Sequence, residues 1–160
     1  MPGAKRHFEA VHFSMDFKRA FDMQKQKAAD GIRKSEIPVF AFDTDSDAVE
    51  LTEFHAENAG VLDAMKIRRQ PVSRFRLETP SGVIVTNPPY AVRMGQRDET
   101  DELYRQMGRV FLADSEIKSF IICADEAFEH KFGRKADKKR KLMNAGLKTY
   151  FYQYFRKIHN

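Results

Sequence analysis

The sequence predicts an α/β domain with a mainly parallel sheet and a β-hairpin near its C-terminal end. Short apolar runs rich in Val, Ile and Phe alternate with segments of helical periodicity. The run at 82–86 is almost continuously apolar, as strands covered on both faces of a parallel sheet are. Two strand-like arms then flank a turn at Asn144-Ala145-Gly146.

The elements follow in order. At 16–33, Phe17, Ala20, Phe21, Ala28 and Ile32 recur at helical spacing among Lys and Gln, an amphipathic helix. Pro38 opens a strand at 39–42, stopped by Asp43-Thr44-Asp45. Ser46 is the expected N-cap of a helix whose face carries Ala48, Leu51, Phe54 and His55. Gly60 is its expected left-handed stop. A short strand at 65–68 is broken by Pro71, and the buried strand at 82–86 follows after a loop. Leu103, Tyr104, Met107, Val110 and Phe111 line one side of a helix at 101–112. A strand at 118–123 and a helix at 124–132, closed by Gly133, precede the hairpin.

Composition narrows the function classes. The 160 residues suit one domain, taken as spanning 1–160, and an apolar content of 42% excludes disorder. No run reaches membrane-helix length, and Met1-Pro2-Gly3-Ala4-Lys5-Arg6 has no apolar segment behind it. No membrane partner is therefore expected, and a cytoplasmic location is the default. The single cysteine, Cys123, excludes an internal disulfide and a multi-cysteine zinc site; it reads as a core thiol. No His/Asp/Glu group has metal spacing, and no Ser/His/Asp set can be argued, so no metal and no nucleophile are assigned.

The most informative motif is Asn87-Pro88-Pro89-Tyr90 at the end of the 82–86 strand. Strand C-termini of open α/β sheets are where ligands bind. Asn87 can accept a hydrogen bond from an amino N–H. Pro88 fixes its own φ and holds Asn87 extended, so the neighbouring carbonyls are pre-aimed. Tyr90 offers a stacking face. An amino nitrogen conjugated to a base ring is a poor nucleophile, and acceptors on its hydrogens orient it for in-line attack on a methyl group. The plainer alternative is a Pro-Pro turn with Tyr90 as a packing residue.

Asp43 ends a strand just before a helix, where an acid can accept from both ribose hydroxyls of a nucleotide-like cofactor. An Asx turn with a helix cap is the equal alternative. Net charge is +5, and Arg134, Lys135, Lys138, Lys139, Arg140 and Lys141 crowd into one stretch. That run is either solvated surface or a phosphate-contacting face.

The chain resembles the class I S-adenosylmethionine-dependent RNA methyltransferases that carry a THUMP domain, and most of all the bacterial 23S rRNA guanine-N2 methyltransferases. The resemblance rests on Phe42-Asp43-Thr44-Asp45, Val83-Ile84-Val85-Thr86-Asn87-Pro88-Pro89-Tyr90, Leu103-Tyr104-Arg105-Gln106-Met107-Gly108, and the stretch from Phe132-Gly133-Arg134-Lys135 to Tyr154. Pro2-Gly3 and Arg6-His7-Phe8 also look like internal family sequence. The family likeness implies that Asp43 holds the ribose of S-adenosylmethionine, that Asn87, Pro88, Pro89 and Tyr90 hold and stack a guanine, and that the basic arm lies near ribosomal RNA.

The departures carry expectations of their own. None of the eight glycines forms the G-x-G pair of a cofactor loop. Pro71 stands near where the family tends to have an acid, and Ala91-Val92-Arg93 where it favours Gly-Glu-Arg. The fold implied is an incomplete Rossmann-like methyltransferase domain without its central first strand, between the strands at Val39 and Val83. The chain is thus expected to be a C-terminal part of a larger enzyme or the product of a truncated gene, inactive alone, with a polypeptide supplying the missing part as a partner. The alternative is a non-catalytic RNA-binding remnant or subunit. A broader reading, an amino-methyltransferase acting on DNA or protein, is permitted by Asn-Pro-Pro-Tyr but disfavoured by the C-terminal stretch.

Overall fold

The computed structural model describes residues 9–33, 37–90, 97–144 and 146–155. Pro2-Gly3, Arg6-His7-Phe8, Ala91-Val92-Arg93 and Ala145, on which parts of the sequence reading fall, lie outside them. The chain forms two compact units, Met1–Gln70 and Pro71–Asn160.

The first unit holds α1 (Met15–Asp30), β1 (Val39–Asp43), α2 (Ser46–Ala59) and β2 (Met65–Arg69). Ser14 caps α1 by accepting from Phe17 N at 3.2 Å. The apolar side of this helix stays open, with Phe17 and Met23 exposed and none of its residues buried. β1 and β2 pair in parallel, Val39 opposite Met65 and Asp43 opposite Arg69. The cap of α2 is Asp45, not the expected Ser46: its Oδ1 accepts from Asp47 N at 2.9 Å, leaving Ser46 as the first helical residue. A carboxylate fits that position at least as well as a hydroxyl and also favours the helix dipole. Gly60 closes α2 at φ 70°, where a Cβ would be strained.

The second unit holds β3 (Gly82–Thr86), α3 (Arg97–Phe111), β4 (Ile117–Cys123), α4 (Phe128–Phe132), β5 (Lys138–Asn144) and β6 (Leu147–Tyr154). Its four-stranded sheet runs β3-β4-β6-β5. The β3–β4 pair is parallel, whereas β4–β6 and β6–β5 are antiparallel. The architecture is thus α/β with a mixed sheet and the expected terminal hairpin. One sheet face packs on α3 and α4 through Tyr104, Met107, Phe111, Ile121, Cys123, Phe128, Phe132, Tyr152 and Tyr154. Aromatic rings dominate this core. Phe128 lies 5.0 Å from Tyr104 and 4.9 Å from Tyr152, and Phe132 lies 4.7 Å from Tyr154, measured between ring centroids. Such pairs add about 0.5–1.5 kcal/mol each beyond the area they bury. Cys123 sits fully buried among them, as the sequence predicts.

Two expectations need correction. β3 is not covered on both faces: Val83 and Val85 are 64% and 77% exposed, while Ile84 packs on the core. β3 is an edge strand of a sheet whose helices lie on one face, so alternate side chains meet solvent. The helix expected at 124–132 shortens to Phe128–Phe132. Asp125 Oδ1 accepts from Ala127 N at 2.8 Å, and this local turn competes with helix in the preceding residues.

Candidate functional site

The Asn-Pro-Pro-Tyr corner leaves the C-terminal end of β3. Asn87 is exposed, Pro88 buried, Pro89 exposed, and Tyr90 half-buried against the aromatic core. The Tyr90 hydroxyl donates to Asn87 Oδ1, so the two ends of the tetrapeptide are closed on each other. Asn87 Oδ1 keeps a second lone pair beside the Tyr90 phenol, so it can accept from a further donor.

The corner is also tied from below. Tyr104 of α3 is fully buried, and its hydroxyl donates to the Pro89 carbonyl at 2.9 Å. Cys123 Sγ donates to the same hydroxyl at 3.3 Å. Burial, with the Cys123 thiol beside it, pushes the Tyr104 phenol well above its ordinary range and keeps it protonated. Lys131 lies 5.8 Å from the Tyr104 ring centroid and pairs with Asp101 Oδ1 at 2.5 Å and with Asp125. The sequence places Tyr104 in an apolar helix stripe and in a stretch carrying the family resemblance, but assigns neither its hydroxyl nor Lys131, Asp101 and Asp125 a role at the corner. A tyrosine inside such a stripe is the available signal, because a buried phenol normally finds a partner.

Asp43 ends β1 in the first unit and is exposed. Its Oδ1 accepts from Asp45 N at 3.0 Å, the Asx turn foreseen as one alternative. Its backbone oxygen accepts from Gln70 N at 2.7 Å, continuing the β1–β2 ladder. The carboxylate is therefore held at the strand end with one oxygen engaged locally.

The basic arm divides between the two faces of the hairpin. Lys139 and Lys141 stand opposite Tyr152 and Tyr150, whereas Lys138 and Arg140 stand opposite Gln153 and Phe151. Residue period two on a strand makes this unavoidable. Lys139 pairs with Glu129 at 3.0 Å and lies over the Tyr150 and Tyr152 rings at 4.4 and 4.8 Å. Arg134, half-buried, pairs with Asp137 at 2.8 Å. Lys135, Lys138, Arg140 and Lys141 are exposed. Among the described residues no His/Cys/Asp/Glu group could hold a metal, and no helix is long and apolar enough to cross a membrane.

An α/β fold with Asn-Pro-Pro-Tyr at the mouth of a strand places the molecule among the methyltransferases. One solved structure, SMU.472, described as a candidate methyltransferase in complex with SAH, superposes with a TM-score of 0.82 over 99% of this chain and 42% of its own, at 33% identity. The chain belongs to the family described as RMKL-like, methyltransferase domain, whose profile matches residues 2–153. Its relatives include the ribosomal RNA large subunit methyltransferase K/L of Shewanella baltica (strain OS185), 32% identical over 92% of this chain and 20% of that protein. A solved structure from Listeria monocytogenes, named for N6-adenine-specific DNA methylation, has a TM-score of 0.83 at 32% identity over 97% of this chain and 40% of its own. The chain thus spans a fifth to two-fifths of the length of these relatives.

Proposed function

We propose that this chain is the base-holding part of an S-adenosylmethionine-dependent methyltransferase that modifies guanine N2 in ribosomal RNA. The observation that carries the reading is the corner itself. An exposed Asn87 acceptor stands at a strand mouth, above a Pro88 anchored in the core and beside the ring of Tyr90. Asn87 and the proline carbonyls would accept from the amino hydrogens while Tyr90 exchanges its bond to Asn87 for a stacking contact with the base. Most of the rate enhancement would come from that alignment, since the proton can leave after transfer. The family relationship and the name of the K/L relative support ribosomal RNA as substrate.

S-adenosylmethionine supplies the electrophilic methyl group when bound. Of the residues present, Asp43 fits its ribose: it is an exposed carboxylate at a strand end, an acceptor for the hydrogens that such hydroxyls donate. The glycines offer no G-x-G loop for the rest of the cofactor. We therefore infer that these residues alone bind it weakly and turn over only when another polypeptide segment contributes that loop. The second reading, a non-catalytic RNA-binding subunit, draws on the same missing loop.

Calorimetry of the full chain with S-adenosylmethionine, followed by methylation of ribosomal RNA and nucleoside analysis, tests the proposal. Weak cofactor binding and N2-methylguanosine formed only with an added glycine-loop polypeptide are expected. N6-methyladenine as product would overturn the guanine assignment. RNA binding with no product under any combination would favour the non-catalytic reading.

A further inference from the structure

The Asn87–Tyr90 corner contains two prolines, neither of which can donate a backbone hydrogen bond. With half of its backbone donors gone, bonds accepted by its carbonyls weigh more in holding it. We propose that Tyr104 is the positioning residue of the nucleobase site: its hydroxyl locks the Pro89–Tyr90 peptide plane, and through that plane the Tyr90 ring. The role rests on the nucleobase reading of the corner.

Several observations converge. The Tyr104 hydroxyl lies 2.9 Å from the Pro89 oxygen and accepts from Cys123 Sγ at 3.3 Å, so its own proton is directed at the carbonyl. The ring has no freedom to drift. Phe128 meets it edge-on at 5.0 Å, and the Lys131 ammonium, held between Asp101 and Asp125, lies 5.8 Å from its centroid. The anchoring helix α3 is itself fixed at Gly108, where an added Cβ would fall 1.9 Å from the Phe132 carbonyl oxygen. Packing alone would favour phenylalanine at position 104, because a buried hydroxyl is costly unless bonded. A line of bonds therefore runs from Cys123 through Tyr104 to Pro89, and Tyr90, the next residue, closes on Asn87.

The sequence permits a clean test. Pro89-Tyr90 is the sole Pro-Tyr pair in the chain, so carbonyl-¹³C proline with ¹⁵N-tyrosine gives a single correlated NMR peak from this peptide plane. The full chain and its Tyr104→Phe variant are titrated with guanosine 5′-monophosphate, following that peak. The Tyr152 and Tyr154 amides report whether the core is intact. Tyr104→Phe is expected to shift the Pro89 carbonyl resonance and weaken guanosine monophosphate about tenfold, the effect of one lost hydrogen bond, with both core amides unmoved. Cys123→Ala, which keeps the ring, is expected to shift the same peak less. It decides the carbonyl contact if the phenylalanine variant does not fold. An unmoved Pro89 peak, or unchanged affinity beside a moved peak, would overturn the role of Tyr104 alone. Absence of binding by the wild-type chain would overturn the nucleobase reading, and this role with it, even where the carbonyl peak still moves.

Discussion

At the scale of single residues, the consequences are sharpest at Asn87 and Gly108. Asn87 is exposed and contributes nothing to the core, so on the proposed reading its loss should act on methyl transfer and on its bond to Tyr90 rather than on folding. With the cofactor-binding polypeptide supplied, Asn87→Ala is expected to lower methyl transfer by about 10²–10³, the usual cost of removing one aligned polar group, while leaving cofactor affinity unchanged. Single-turnover assays beside calorimetry would separate the two quantities. Gly108 has the opposite character. A methyl there would overlap the Phe132 backbone, and neither α3 nor α4 can yield without unpacking the aromatic core. Gly108→Ala should destabilise the second unit by about 1–3 kcal/mol or more, read as a lowered denaturation midpoint. The end of β3 before the 87–90 corner was legible because two successive prolines cannot continue a strand ladder. The hydroxyl of Tyr104 was not, since periodicity records that a side chain faces inward and says nothing of what its oxygen touches.

Among the elements, the hairpin separates structural from available charge. Lys139 is tied to Glu129 and two tyrosine rings, whereas Lys141 is exposed on the same face of β5. Lys139→Ala should therefore lower thermal stability and Lys141→Ala should leave it unchanged. If the arm contacts RNA, Lys141→Ala should weaken binding modestly and flatten its salt dependence, measured by filter binding across a salt series. Most elements could be read from sequence. β1, β2, β3 and β4 fall within a residue of expectation, Gly60 adopts the predicted left-handed stop at φ 70°, and Gly133 closes its helix as expected, there at φ 90°. The failures have local causes. Asp125 diverts the chain before α4, and Asp45 takes the cap in place of Ser46 because several good capping residues stood side by side. An apolar run reveals burial on one face but cannot report whether the other face has a neighbour, so β3 was misjudged.

For the molecule as a whole, acid sensitivity should originate in the second unit. Partial burial of Glu129 works to raise its pKa. The Ala136 N–H and the Lys139 ammonium outweigh that, and the carboxyl is held below its ordinary value of 4.5. A folded pKa lower than the unfolded one means stability that is complete above the unfolded value and is lost as pH falls through the folded value. Denaturant midpoints should thus decline below about pH 4.5, and Glu129→Gln should remove part of that decline while costing stability at neutral pH. β3 brings a different consequence. Its valines face water, and on the side away from β4 its backbone has no strand among the described residues. A bare ladder flanked by oily branches is a template on which sheets from separate molecules can grow. A strand bound along that margin would act as a guard against clumping, and purified material with the margin bare should turn cloudy as its concentration rises.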